Sequence, residues 1–220
     1  MDKTDYSYVR LGANLGFAGT LLSGPVGLIV VNSTYPQPKW AGPDVFLQNY
    51  HSIQVVPYLL GMLLLVGSML IAAGAINLMP PRQKPLGILG FSLVALAATL
   101  IFLNYIIQVS FLPHQTLDNG QIISALSMSN PSSLAWSIEM WGYGLMGIGL
   151  WLLTPAFHRE GRDRLIRVLL GINAILGVIG AIATAWIAAW PLSIAGMISF
   201  VVWNLAYLFL LYRLRSPSSP

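Results

Sequence analysis

Six runs of mainly apolar residues divide this chain: 11–31, 53–78, 86–112, 134–154, 165–190 and 192–212. Each has roughly the 20 residues a helix needs to cross about 30 Å of hydrocarbon. Lipid offers no partner to a bare peptide group, so a chain with runs of this length crosses as helices. The expected fold is therefore all-α, a six-helix transmembrane bundle forming a single integral membrane domain over residues 1–220. Composition points the same way: 8% of the residues are charged, where a soluble domain carries about 25%.

Punctuation supports the boundaries. Pro80 and Pro81 follow the second run, Pro113 the third and Pro155 the fourth, where a helix can stop. Asn130-Pro131-Ser132-Ser133 precedes the fourth run and supplies an N-cap candidate followed by proline at the first helical position. Only the region of Trp190-Pro191 separates the fifth and sixth runs, which predicts a tight hairpin. The opening MDKTDYSYVR lacks the pattern of a cleaved signal peptide, so the first run is expected to remain as a span.

Ten of the eleven Lys and Arg residues fall on one side of this topology: Lys3, Arg10, Arg82, Lys84, Arg159, Arg162, Arg164, Arg167, Arg213 and Arg215. Lys39 alone falls on the other. Basic residues mark the cytoplasmic side, so both termini are expected inside. The same bias accounts for an isoelectric point near 9.5 without nucleic acid, since the charges are dispersed over four segments with no recognisable binding fold. Arg159, Arg162, Arg164 and Arg167 are expected to lie against anionic headgroups of the bilayer. On the outer side, residues 32–52 are rich in proline and aromatics and are expected to fold over the mouth of the bundle. Residues 112–133 hold Ile122, Ile123, Leu126 and Met128, enough for a short interfacial helix.

Small residues recur at four-residue spacing on Gly12, Gly16, Thr20 and Gly24, and on Gly177, Ala181, Ala185 and Ala189. Such stripes let helices approach closely in lipid. Polar residues inside spans face the bundle interior, and here they sort by depth into two layers. His51, Gln54, Tyr58, Asn104, Tyr105, Gln108, Glu139 and Tyr143 form the outer one; Asn14, Asn77, Asn173 and Asn204 form the inner one. The inner asparagines are expected to bond between helices. In the outer layer, residues three or four apart share a helix face. That groups His51 with Gln54, Asn104 with Gln108, and Glu139 with Tyr143, the six candidate ligand-binding residues.

Glu139 is the only charged residue between Leu134 and Leu153. It can be read as a headgroup-zone residue or as the charged group of a site. No metal or cofactor is expected: His51, His114 and His158 are scattered, the chain has no cysteine, and no HExxH, GxSxG, P-loop or dinucleotide motif occurs.

Three segments, 102–110 (FLNYIIQVS), 129–157 and 164–180, resemble a group of uncharacterised bacterial polytopic membrane proteins. These share an Asn-Tyr-x-x-Gln helix, an Asn-Pro-x-Ser lead into a Glu-containing span and an Arg-rich turn into an Asn-containing helix. The resemblance covers about residues 86–215, implies a bacterial inner membrane and brings no activity with it. It includes Asn104, Gln108 and Glu139 in the shared pattern. Three functions stay open. The favoured one is a non-enzymatic bundle with an outward-facing pocket for a small polar or amphiphilic ligand, as in a transporter or sensor. The alternative is an accessory subunit whose polar residues only hold helices together. The third is an intramembrane enzyme pairing Glu139 with a histidine.

Overall fold

A computed structural model describes residues 5–216, apart from the side chains of Asp5 and Arg162; Lys3 lies outside the described residues. All regular structure among them is helical. The first run folds as α1 (Asp5–Leu21) and α2 (Gly27–Thr34), joined by a π-helical turn at Leu22–Val26. Beyond a short α3 (Pro43–Asn49) come α4 (Val56–Leu78), α5 (Lys84–Ile106), α6 (Gly120–Leu126), α7 (Leu134–Trp151), α8 (Gly161–Trp186) and α9 (Ile194–Leu214).

Five stretches are long and apolar enough to cross a membrane: Tyr6–Thr34, Ser52–Leu78, Pro81–His114, Asp163–Trp186 and Ile194–Leu214. The fourth run, expected as a sixth span, forms α7 with 18 residues but is not among them. Its tryptophans, Glu139 and four glycines lower its hydropathy. In each of the five, half or less of the most apolar stretch is buried against protein. The rest forms an outward apolar surface, with Ile29 66%, Ile88 58%, Ile175 61% and Leu205 62% exposed. Patches of this extent mark contact with membrane or partner.

The long helices close into a ring, α1 on α4, α4 on α5, α5 on α7, α7 on α8, α8 on α9 and α9 back on α1. Glycine sets the closest seams. A Cβ on Gly67 of α4 would collide with the backbones of Gly12 and Gly16 in α1. Gly90 of α5 and Gly149 of α7 face each other, so that a Cβ on either would lie 2.6–2.7 Å from the other's carbonyl oxygen. A Cβ on Gly177 of α8 would lie 2.8 Å from the Tyr143 carbonyl oxygen of α7. Residue numbers rise along one helix as they fall along its neighbour, Gly12 meeting Ile71 and Gly19 meeting Leu64, and the helices run antiparallel. At one end, the Tyr6 hydroxyl donates to the Leu214 carbonyl at 3.0 Å, and Arg215 Nε donates to Asn14 Oδ1 at 2.7 Å. Fully buried Leu65, Ile101, Leu150 and Leu211 fill the interior.

At the other end α3 packs on α6 around Phe46, Leu112 and Ile123. The α6 helix is the short helix expected between residues 112 and 133. The α8–α9 hairpin is as tight as expected, its chain reversed by Ala189 at φ 53° ahead of Trp190-Pro191. One cap is corrected. Asn130-Pro131 does not start α7; Ser133 does, its hydroxyl accepting from Trp136 N at 3.4 Å. Asn130 instead holds the preceding turn, donating to the Ser124 carbonyl at 2.6 Å and accepting from Ser132 N at 3.1 Å.

The inner asparagines also need correction. Asn173 and Asn204 donate to Leu169 and Phe200, each at 2.9 Å and one turn back on its own helix. Among the described residues, Asn14 is the only one of the four given a bond beyond its own helix, to Arg215 at the end of α9. Of the arginines expected at headgroups, Arg159 and Arg164 are exposed. Arg167 donates Nη1 to the Thr154 and Phe157 carbonyls, each at 3.1 Å, which ties the α7–α8 turn to α8.

Candidate functional site: a carboxylate on the wall of an interhelical cavity

Glu139 sits six residues into α7, on the face turned towards α5, and is 3% exposed. Its antiparallel neighbour supplies two donors. Asn104 Nδ2 reaches Oε2 at 2.9 Å, and the Tyr105 hydroxyl reaches Oε1 at 2.8 Å. The Tyr143 hydroxyl lies 3.1 Å from that of Tyr105. Because the single Tyr105 proton is directed at Glu139, Tyr143 is the donor in that pair. A relay Tyr143 to Tyr105 to Glu139 therefore spans α7 and α5.

Local backbone makes this geometry possible. Gly61 of α4 leaves room for the Tyr105 ring, since a Cβ there would lie 2.8 Å from Tyr105 Cε2. Just beyond Asn104 the third run widens into a π-helical turn at Ile107–Phe111, a feature frequent at functional sites. Gln108 in that turn donates to Asn104 Oδ1 at 3.2 Å and to the Leu126 carbonyl at 2.8 Å, and accepts from Met128 N at 3.0 Å. Trp136 Nε1 donates to the Met128 carbonyl at 2.8 Å. Gln108 thus orients Asn104 and fastens the segment after α6 against α5.

Glu139 lies on the wall of a cavity of about 580 Å³ bounded by the first run, α4, α5, α7, α8 and α9. Among the described residues lining it, Glu139 is the only charged one. Much of the remaining wall is aromatic. Tyr58 packs at 5.4 Å from Tyr105, and Tyr143 at 4.8 Å from Trp203, which stacks on Tyr207 at 5.1 Å. The Tyr207 hydroxyl and Ser68 Oγ are 2.6 Å apart, which links α9 to α4 beside Trp203. The Trp203 indole N–H is buried and has no hydrogen-bond partner among the described residues, although buried donors are as a rule paired.

Of the six candidates, Glu139, Tyr143 and Gln54 line the cavity, and Asn104 and Gln108 stand behind Glu139. Gln54 is at the α3/α6 end, accepting from Gln37 Nε2 at 2.6 Å and donating to the Asn49 carbonyl at 3.2 Å. His51 is not on the wall. Its ring stacks on Tyr35 at 3.5 Å, and its Nδ1 accepts from Ile53 N at 3.2 Å to cap the turn into α4. Tyr105 and its chain neighbour Asn104 point about 100° apart around the helix, yet both reach Glu139. Trp203 is not legible in the sequence because it looks like one more apolar ring. Its signal was the i, i+4 pair with Tyr207 beside Asn204. Asn204, assigned by depth to another layer, lines this same cavity.

No group of three or more metal-ligating side chains occurs among the described residues. Comparison with protein-family models, with curated proteins and with solved structures finds no match for the chain.

Proposed function

We propose that this is a six-span membrane protein, with both termini cytoplasmic, whose cavity opens outward and holds a small polar or amphiphilic ligand at Glu139. The reading is that of a non-enzymatic binding bundle, transporter- or sensor-like. The observation that carries it is a buried carboxylate on the wall of a cavity large enough for a small molecule. Ligand sites are typically about 300–1,000 Å³, mostly apolar, with a few polar groups that fix orientation. The unpartnered Trp203 N–H on the same wall adds a second group that a ligand can satisfy.

Support for six spans comes from α7 itself. It is a full member of the ring, between α5 and α8, and its 18 residues rise about 27 Å at 1.5 Å each. The orientation rests on the Lys and Arg bias, and the bacterial inner membrane on the resemblance noted above. The accessory-subunit reading accounts for the bonds among Asn104, Tyr105 and Glu139 but gives the cavity no role. The enzyme reading needs a histidine beside Glu139, and no histidine lines the cavity among the described residues.

The test is a ligand-stabilisation screen on purified protein, wild type against Glu139→Gln. Compounds that raise the melting temperature of wild type and not of the variant support the site. Equal stabilisation of both by every hit would remove Glu139 from it.

A further inference from the structure

The sign of the wall charge and the shape of the cavity narrow the ligand class. This step rests on the binding role just proposed. Glu139 accepts from Asn104 and Tyr105, neutral donors that leave its charge uncompensated. A carboxylate offers about four acceptor positions, so positions remain for a ligand. No Lys, Arg or His lines the cavity among the described residues. An anionic ligand would meet a like charge with no cationic side chain among the described lining residues to offset it, only the neutral Trp203 N–H, in surroundings where charges interact strongly. A cation is matched by the carboxylate, and Tyr58, Tyr143 and Trp203 on the same wall are ring types that attract cations.

The cavity also has a direction. At the π-helical turn Gly24 leaves helical geometry (φ −83°, ψ −105°) and Pro25 follows. Proline lacks the N–H and clashes with the preceding turn, so the run kinks there. Before the kink α1 packs on both α4 and α9; after it, α2 keeps a contact with α4 and has little or none with α9. Leu28 on α2 and Met197 and Phe200 on α9 face the resulting gap, each lining the cavity while also 44–48% exposed. The cavity therefore runs from Glu139 to an apolar opening in the side of the bundle.

We propose that the cavity takes a cationic amphiphile, an organic ammonium seated among Glu139, Tyr58, Tyr143 and Trp203, with its apolar chain leaving between α2 and α9 into the bilayer.

The probes are decyltrimethylammonium, decyl sulfate and decanol, which share one chain and differ in head charge. Binding of radiolabelled decyltrimethylammonium would be measured on the full-length protein in lipid nanodiscs, with empty nanodiscs subtracted and the other two as competitors. Saturable binding of the cation is expected, weakened about tenfold or more by Glu139→Gln, a loss of about 1.4 kcal/mol or more. Trp203→Leu should weaken it severalfold, and decyl sulfate should compete poorly. If decanol or decyl sulfate competes as well as the unlabelled cation, the cation assignment falls while the pocket stands. If none of the three binds saturably, this inference is overturned. The pocket reading is then judged separately by the wider screen, which includes compounds without an alkyl chain. The probe series on wild type decides the matter even if Glu139→Gln does not fold.

Discussion

The two halves of the first apolar run do opposite things. In α1, Gly12 and Gly16 lie against Gly67 so closely that backbone meets backbone, and this seam of the ring is shut. About two turns beyond, the Gly24-Pro25 kink carries α2 away from α9 and the opposite seam stands open onto the cavity. Small residues occur in both halves. What separates them is whether the helix runs straight along its neighbour. The contrast teaches that glycines close a seam where a straight helix lays them on its neighbour's backbone, as Gly12 and Gly19 lie on that of Ile71 and Leu64, and that at a kink the same residue type leaves space.

The largest expected effect falls on the shut side. Gly67→Leu would drive a side chain into the α1 backbone, which cannot give as a side-chain tip could. Overpacking typically costs about 1–3 kcal/mol and occasionally more, and here no relaxation is at hand. Little or no monodisperse protein should survive size-exclusion chromatography in detergent. Wild-type yield would show that the seam is looser than described. Next comes Glu139→Leu, which strips Asn104 and Tyr105 of their acceptor. An orphaned buried donor costs about 1–3 kcal/mol, so a drop of several degrees in melting temperature is expected, with Glu139→Gln milder because its carbonyl still accepts. Equal effects of Leu and Gln would mean that the hydrogen bonds contribute nothing.

The open side should be tolerant. Leu28→Trp adds bulk where the side chain is already 44% exposed, and stability should stay within about 0.5 kcal/mol of wild type, while ligand binding slows. A destabilisation as large as that of Gly67→Leu would erase the distinction between the two seams. The smallest effect is expected at Asn173→Leu. Asn173 is buried, bonds only its own helix, and keeps an Oδ1 with no hydrogen-bond partner among the described residues. Its replacement should be neutral or slightly stabilising in a denaturant titration. A loss above about 1 kcal/mol would restore the interhelical role that the spacing suggested.

These regions also differ in how legible they were. Apolar length and proline positions are local signals, and the long helices begin and end within a few residues of the expected runs. Asn104, Gln108 and Glu139 were legible as one cluster because antiparallel neighbours of similar depth bring them level. The cap at Ser133 was missed because Asn130 is an equally good cap by type; the choice is made by the Asn130 bond to Ser124 from α6. The asparagines misled because sequence cannot tell whether an amide turns to its own helix or the next. Least legible was the cavity. Pro25 lies inside an unbroken apolar run, and only the parting of α2 from α9 turns that kink into an opening.

The central claim is that a ligand reaches Glu139 from outside. Beside its lateral opening, the cavity reaches Gln37, Gln54 and Ser129 at the α3/α6 end, which is proposed to face outward and to give that access. The chain has no cysteine, so Met140→Cys, beside Glu139 and on the cavity wall, can be labelled without background. Intact cells producing this variant would be treated with membrane-impermeant thiosulfonate reagents, one cationic and one anionic. Labelling from outside is expected, faster with the cationic reagent, and slowed by decyltrimethylammonium. A cysteine that stays inert, or that reacts only once the cytoplasmic side is exposed, would contradict the account.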